Sequence, residues 1–143
     1  MKRLFVFPLL LMVAACMEPP PSPVATAPPP PPPPAPVYLV FFDWNSAVVA
    51  PGGREIIGQA ANAYRAGSPV TLQVTGFTDT SGSADFNQRL SVRRANAVAA
   101  VLAQDGVPPG SMVVTGRGEN DLRVPTPDGV REPQNRRVEI VFP

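Results

Sequence analysis

Histidine is absent from this 143-residue chain, and cysteine, lysine and tryptophan occur once each, as Cys16, Lys2 and Trp44. Without histidine there is no Ser-His-Asp or Cys-His nucleophilic site and no His/Cys zinc site. A single cysteine forms no disulfide within the chain. Removal of the N-terminus would leave no lysine for a Schiff base. An excess of charge is missing too. Twelve basic and eleven acidic residues leave a net +1, so no long-range field argues for nucleic acid or anionic lipid. What remains is carboxylate, hydroxyl, amide and guanidinium chemistry, which suits binding more than catalysis.

The chain opens MKRLFVFPLLLMVAAC, with Lys2 and Arg3 before twelve residues from Leu4 to Ala15 that are mostly apolar. That run falls short of the roughly 20 residues a membrane-spanning helix needs. A basic n-region, a short apolar h-region and small residues at the end read as a secretory signal peptide over residues 1–15. Val13-Ala14-Ala15-Cys16 resembles the bacterial lipobox, which implies diacylation of Cys16, cleavage before it and acylation of the new amino group. Two or more acyl chains give stable anchoring, at about 0.8 kcal/mol per buried CH₂. Cleavage at Ala15 to a soluble secreted protein is the other reading. In the lipoprotein pattern an aspartate after the cysteine favours inner-membrane retention, so Met17 implies the outer membrane.

Residues 17–36 hold twelve of the 21 prolines. Proline lacks the N–H and fixes φ, which removes both helix and sheet. From Pro19 this linker is expected to be an extended polyproline spacer, reaching on the order of 55 Å. It would hold the following domain away from lipid; a docking motif for a proline-binding domain is the alternative.

From Val37 to Pro143 the pattern is globular. VYLVFFD (37–43) is short, apolar and aromatic, as a buried strand would be. Pro51 suits the first turn of a helix carrying Ile56, Ile57, Ala60, Ala63 and Tyr64 on one face. Val70, Leu72 and Val74 alternate with polar residues as a half-buried strand does. Ser83 is the expected N-cap of a long helix that has Asp85 in its first turn and ends near Gly106. Met112–Thr115 gives a third strand, and Val138, Ile140 and Phe142 a fourth. The order β-α-β-α-β-β, with a loop-rich insertion over 119–134, predicts an α/β fold of the α+β type. It is a two-layer sandwich of a mixed four-stranded sheet with two helices on one face.

The second helix contains an anomaly. At about 100° per residue from Phe86, Arg94 falls near 80°, inside the arc of Leu90, Ala97, Val98, Val101 and Leu102. Asn87 and Ser91 flank it. A buried guanidinium needs an anion, and Asp79, in the loop before the helix, is the nearest candidate. One reading makes Asp79–Arg94 a structural ion pair, and another makes Asp79 a turn residue of TDTSGS. A third keeps the two charges apart at a pocket, where they match a zwitterion such as an amino acid head group.

TDTSGSADFNQRLSVRRANAV (78–98), GRGE (116–119), EPQNRRVEI (132–140) and FFDWN (41–45) together resemble the OmpA-like peptidoglycan-binding domain. With the lipobox, the chain is similar to the peptidoglycan-associated lipoproteins. The resemblance covers 37–143. It implies an outer-membrane lipoprotein of a Gram-negative bacterium, on the periplasmic face, that binds the diaminopimelate of the stem peptide without a covalent bond. Asp79 would accept from the ligand ammonium and Arg94 would clamp its carboxylate. Thr78 and Asn87 would line the pocket, and Phe42 with Asp43 would form its wall. Asn135, Arg136 and Arg137 match the family pattern without an assignment to ligand or to fold. No cofactor is implied; periplasmic Tol components are, as partners of relatives. The insertion Asn120–Arg131 departs from the pattern, and its PTPDGV reads as a turn that leaves the core motifs undisturbed. The lone Trp44 is expected to be buried; exposure of its ring would instead suggest a partner surface.

Other classes remain to be set beside this. A wall-modifying enzyme would need an acid–base pair, for which Asp79 and Glu119 are the nominees. A purely structural or partner-binding periplasmic domain would need neither. A covalent wall anchor through a terminal lysine is not expected, since the residues after Cys16 contain no lysine and the sequence closes on Val141-Phe142-Pro143. A motor stator subunit needs a membrane span with an ionisable residue, which the sequence does not show.

Overall fold

The computed structural model describes residues 35–67 and 70–143. The signal peptide, Cys16 and all of the proline linker before residue 35 lie outside the described residues. Branched apolar residues build five-residue strands at Val37–Phe41 (β1), Leu72–Gly76 (β2), Met112–Gly116 (β3) and Arg137–Val141 (β4). Between them run the helices Pro51–Ala66 (α1) and Ala84–Gln104 (α2). The strands form one sheet in the order β1-β4-β2-β3, with β2 and β3 parallel and the other pairs antiparallel. Two helices over a mixed sheet is the expected architecture.

Local chemistry sets the ends. Pro51 stands in the first turn of α1, where its missing N–H costs nothing. The Ser83 hydroxyl accepts from the Phe86 N–H at 3.3 Å and caps α2, and Asp85 sits in the first turn. After α2 the chain reverses at Gly106, φ +94°, a backbone region glycine enters without a Cβ penalty. β1 stops at Phe41, two residues before the expected end. The Phe42 N–H still donates to the Arg136 carbonyl at 2.9 Å, but the chain then turns away through Asn45 at φ 52°. β2 likewise starts at Leu72, after Val70.

The core lies between helices and sheet. Val40, Val74, Val138 and Ile140 meet Ile57 and Ala60 of α1 and Val98 and Leu102 of α2, all fully buried. Each such aliphatic side chain contributes roughly 1.5–3 kcal/mol. One contact positions everything that follows. A Cβ on Gly76 would stand 2.0 Å from the Ser91 carbonyl oxygen, and one on Gly116 would stand 2.5 Å from Ser91 Oγ. The first half of α2 therefore rests on bare backbone at the ends of β2 and β3. Asn87, Ser91 and Arg94, one turn apart, are pressed toward the loop leaving β2.

Candidate functional site

That loop is pinned before it presents anything. The Phe77 N–H donates to the Arg137 carbonyl and the Thr78 N–H to the Gly118 carbonyl, both at 2.8 Å. Asp79 follows and is 3% exposed. Its Oδ1 accepts from the Ser81 N–H at 3.2 Å and the Ser81 hydroxyl at 2.6 Å. Its Oδ2 accepts from the Glu132 N–H and from Arg136 Nη1, both at 3.3 Å. Among the described residues its ion partner is Arg136, the arginine that the sequence left unassigned.

Arg94 is fully buried and does not pair with Asp79. Its Nε donates to the Ser46 carbonyl at 2.8 Å, Nη1 to that of Phe77 at 3.0 Å and Nη2 to that of Asp43 at 3.0 Å. The Phe42 ring lies 5.4 Å from the guanidinium carbon. Three carbonyl dipoles thus replace the expected counter-ion. Burial pushes its pKa down to about 10, the Asp79 carboxylate opposes this, and the Arg136 and Arg93 cations add to it. A guanidinium has five N–H donors; with three given to carbonyls, two remain.

A cleft of about 320 Å³ opens over these groups. Trp44 and Asn45 form one side and Ser81 and Gly82 another. Phe86 and Leu90 of α2 make its apolar wall, and Gly129, Arg131 and Arg136 close it. Asp79 and Arg94 both line it, each facing the same space without touching the other.

The remaining expected residues sit elsewhere. Thr78 and Asn87 are buried, each about 1% exposed, and neither lines the cleft. Asn87 Nδ2 ties the Asp79 carbonyl (3.2 Å) to Glu119 Oε2 (2.7 Å). Thr78 Oγ1 and Asn87 Oδ1 have no hydrogen-bond partner among the described residues. Phe42 and Asp43 do not wall this cleft but a neighbouring one, of about 350 Å³, which they share with Pro133, Gln134 and Arg136. The early end of β1 is the reason: Asp43 offers its carbonyl, not its carboxylate, to Arg94.

One expectation is corrected outright. Trp44 is 48% exposed, because its surroundings satisfy an amphipathic ring at the surface. Its Nε1 donates to Ser81 Oγ at 3.1 Å, and the Arg131 guanidinium lies 3.6 Å over the ring. The insertion turns within PTPDGV as expected, and it also builds a wall of the cleft. The Thr80 hydroxyl donates to the Pro127 carbonyl at 2.6 Å and accepts from the Val130 N–H at 3.2 Å. Gly129 turns there at φ +78°, which delivers Arg131. The PTPDGV turn was the only signal for this in the sequence. Among the described residues no group of three acidic side chains is placed to hold a metal ion.

The OmpA family model matches residues 41–136. Over 114 residues the chain is 44% identical to an outer membrane protein of Gluconacetobacter diazotrophicus, a match covering 76% of this chain and 30% of that protein. It is 33% identical over 104 residues to the outer-membrane lipoprotein YfiB of Pseudomonas aeruginosa, covering 73% and 62%. The chain thus spans less than two thirds of either relative. The solved peptidoglycan-associated lipoprotein of Burkholderia pseudomallei superposes with a TM-score of 0.69 at 26% identity, over 74% of this chain and 90% of that one.

Proposed function

The chain belongs to the OmpA family, and on that premise we propose that it is an outer-membrane lipoprotein that grips peptidoglycan non-covalently. The grip is on the diaminopimelate of the stem peptide, and the anchor is acylated Cys16. The observation that carries this reading is that Asp79 and Arg94 line one cleft while each is held by other partners. A carboxylate and a guanidinium fixed apart in this way match a zwitterionic head group. The ligand carboxylate would take the two N–H groups of Arg94 that no carbonyl uses. The ligand ammonium would approach Asp79 Oδ1, where the Ser81 hydroxyl is a donor that can rotate aside.

A lipoprotein relative and a peptidoglycan-associated structural neighbour support the anchoring and the ligand class. Charge-assisted hydrogen bonds contribute roughly 1.5–3 kcal/mol each, and association costs several times that, so single-site affinity should be modest. A domain tethered beside a dense polymer works at high effective concentration, which offsets the weakness. Tol-type periplasmic proteins are proposed as further partners on the resemblance alone.

Residues 17–143 should co-sediment with purified sacculi. Arg94→Lys and Asp79→Asn should remove this while far-ultraviolet circular dichroism stays that of the parent. Sedimentation of both folded variants at the parent level would refute the site.

A further inference from the structure

The cleft holds more positive charge than a zwitterion can use. Three guanidinia line it, Arg94, Arg131 and Arg136, against one carboxylate, Asp79. The Asp79–Arg136 ion pair accounts for one cation, and the ligand carboxylate at Arg94 would account for a second. Arg131 is left over. It makes no ion pair or hydrogen bond to any described residue, yet it is not splayed into solvent. Its guanidinium is stacked 3.6 Å over the Trp44 ring, and that ring is fixed in turn by its hydrogen bond to Ser81. Stacking covers one face of the guanidinium and leaves its rim of five N–H donors unspent. Arg136 is equally pre-positioned. Its Nε is bound to the Phe42 carbonyl at 3.0 Å and its Nη1 to Asp79, which leaves Nη2 without a described partner. Both guanidinia line the same cleft, so an anion entering it would find unspent N–H donors on each.

We propose that Arg131 and Arg136 form a second anion subsite, which takes a second carboxylate on the same peptide whose diamino acid occupies Asp79 and Arg94. This rests on the ligand reading above. In a wall stem peptide the γ-linked glutamyl residue before the diamino acid carries such a group, its α-carboxylate, and amidation abolishes that charge. The cleft therefore selects the free acid over the amide. The insertion that delivers Arg131 is the specificity element.

The test is calorimetric titration of residues 17–143 with the γ-D-glutamyl-diaminopimelate dipeptide, its glutamyl α-carboxyl either free or amidated. The wild type should bind the free acid about tenfold more tightly than the amide. Arg131→Gln, a change at an exposed position, should bind both forms as weakly as the wild type binds the amide. Arg131→Lys, which keeps the charge, should recover part of the preference. Equal binding of both dipeptides by the wild type, or full discrimination by Arg131→Gln, overturns the subsite and leaves the diaminopimelate site standing. Failure of the wild type to bind either dipeptide overturns both.

Discussion

Arg94 shows how a charge can be buried without a counter-ion. Three carbonyl oxygens, from Ser46, Phe77 and Asp43, are convergent acceptors within about hydrogen-bonding distance. Replacing the side chain with alanine would strand those three acceptors and leave a cavity. Arg94→Ala should therefore lose more than about 3 kcal/mol in urea denaturation, since each stranded buried group costs about 1–3 kcal/mol. Arg94→Lys, with three donors of its own, should lose less. The two variants separate fold from binding: both should fail to bind, and only one should be badly unstable.

The same residue sets a pH profile. Its folded pKa is pushed down to about 10, well below the ordinary guanidinium value, with burial the main cause. Below pH 10 both folded and unfolded chains keep the proton, so the burial penalty stands in full. Between about pH 10 and the ordinary guanidinium value the unfolded chain holds the proton more than the folded one does, so this group makes stability rise with pH in that window. Its grip on a carboxylate should run the other way, level from pH 6 to pH 9 and weakening above about pH 10. Sacculus binding measured across that range checks it.

The helix α2 carries two of the expected site residues, Asn87 and Arg94, and its seating depends on two glycines that bear no functional group. A methyl at Gly76 would meet backbone at 2.0 Å, and no rotamer change can relieve a clash with a carbonyl. Gly76→Ala should unfold the domain or lower its melting temperature by many degrees, whereas Gly52→Ala, with open space around it, should leave it unchanged. Differential scanning calorimetry of the pair decides.

Much of this layer was legible in the sequence. Pro51, Ser83 and Gly106 mark helix ends by local chemistry, and the alternation in 72–76 and 137–141 marks strands. The out-of-place Arg94 pointed to the candidate cleft that it lines. What it could not announce was its partners, because backbone carbonyls carry no side-chain signature. Nor could the sequence bring Arg131 and Arg136 to Asp79, since those approaches span more than fifty residues and depend on how the insertion folds. Trp44 was misjudged for the same reason: an exposed indole is stable only because Ser81 and Arg131 happen to meet it.

On the proposed reading the whole chain divides its work between an anchor, a spacer and a domain. Acyl chains at Cys16 would fix one end in the outer membrane, and the proline segment would set the reach to the wall. On this account Cys16→Ser should leave sacculus binding of the purified protein intact and shift the cellular pool out of the membrane fraction. If charge holds the wall ligand as proposed, binding should also weaken as salt rises from about 0.05 to 0.5 M, where the screening length falls well below about 10 Å.

The claim beneath all of this is that an acid and a base, each anchored by someone else, leave a gap shaped for a guest of both charges. A crystal of the domain soaked with meso-diaminopimelate tests it most directly. The account predicts a ligand carboxylate on the two spare N–H groups of Arg94 and an ammonium at Asp79. Diaminopimelate bound elsewhere, or Arg94 and Asp79 closed onto each other with the cleft lost, would contradict it.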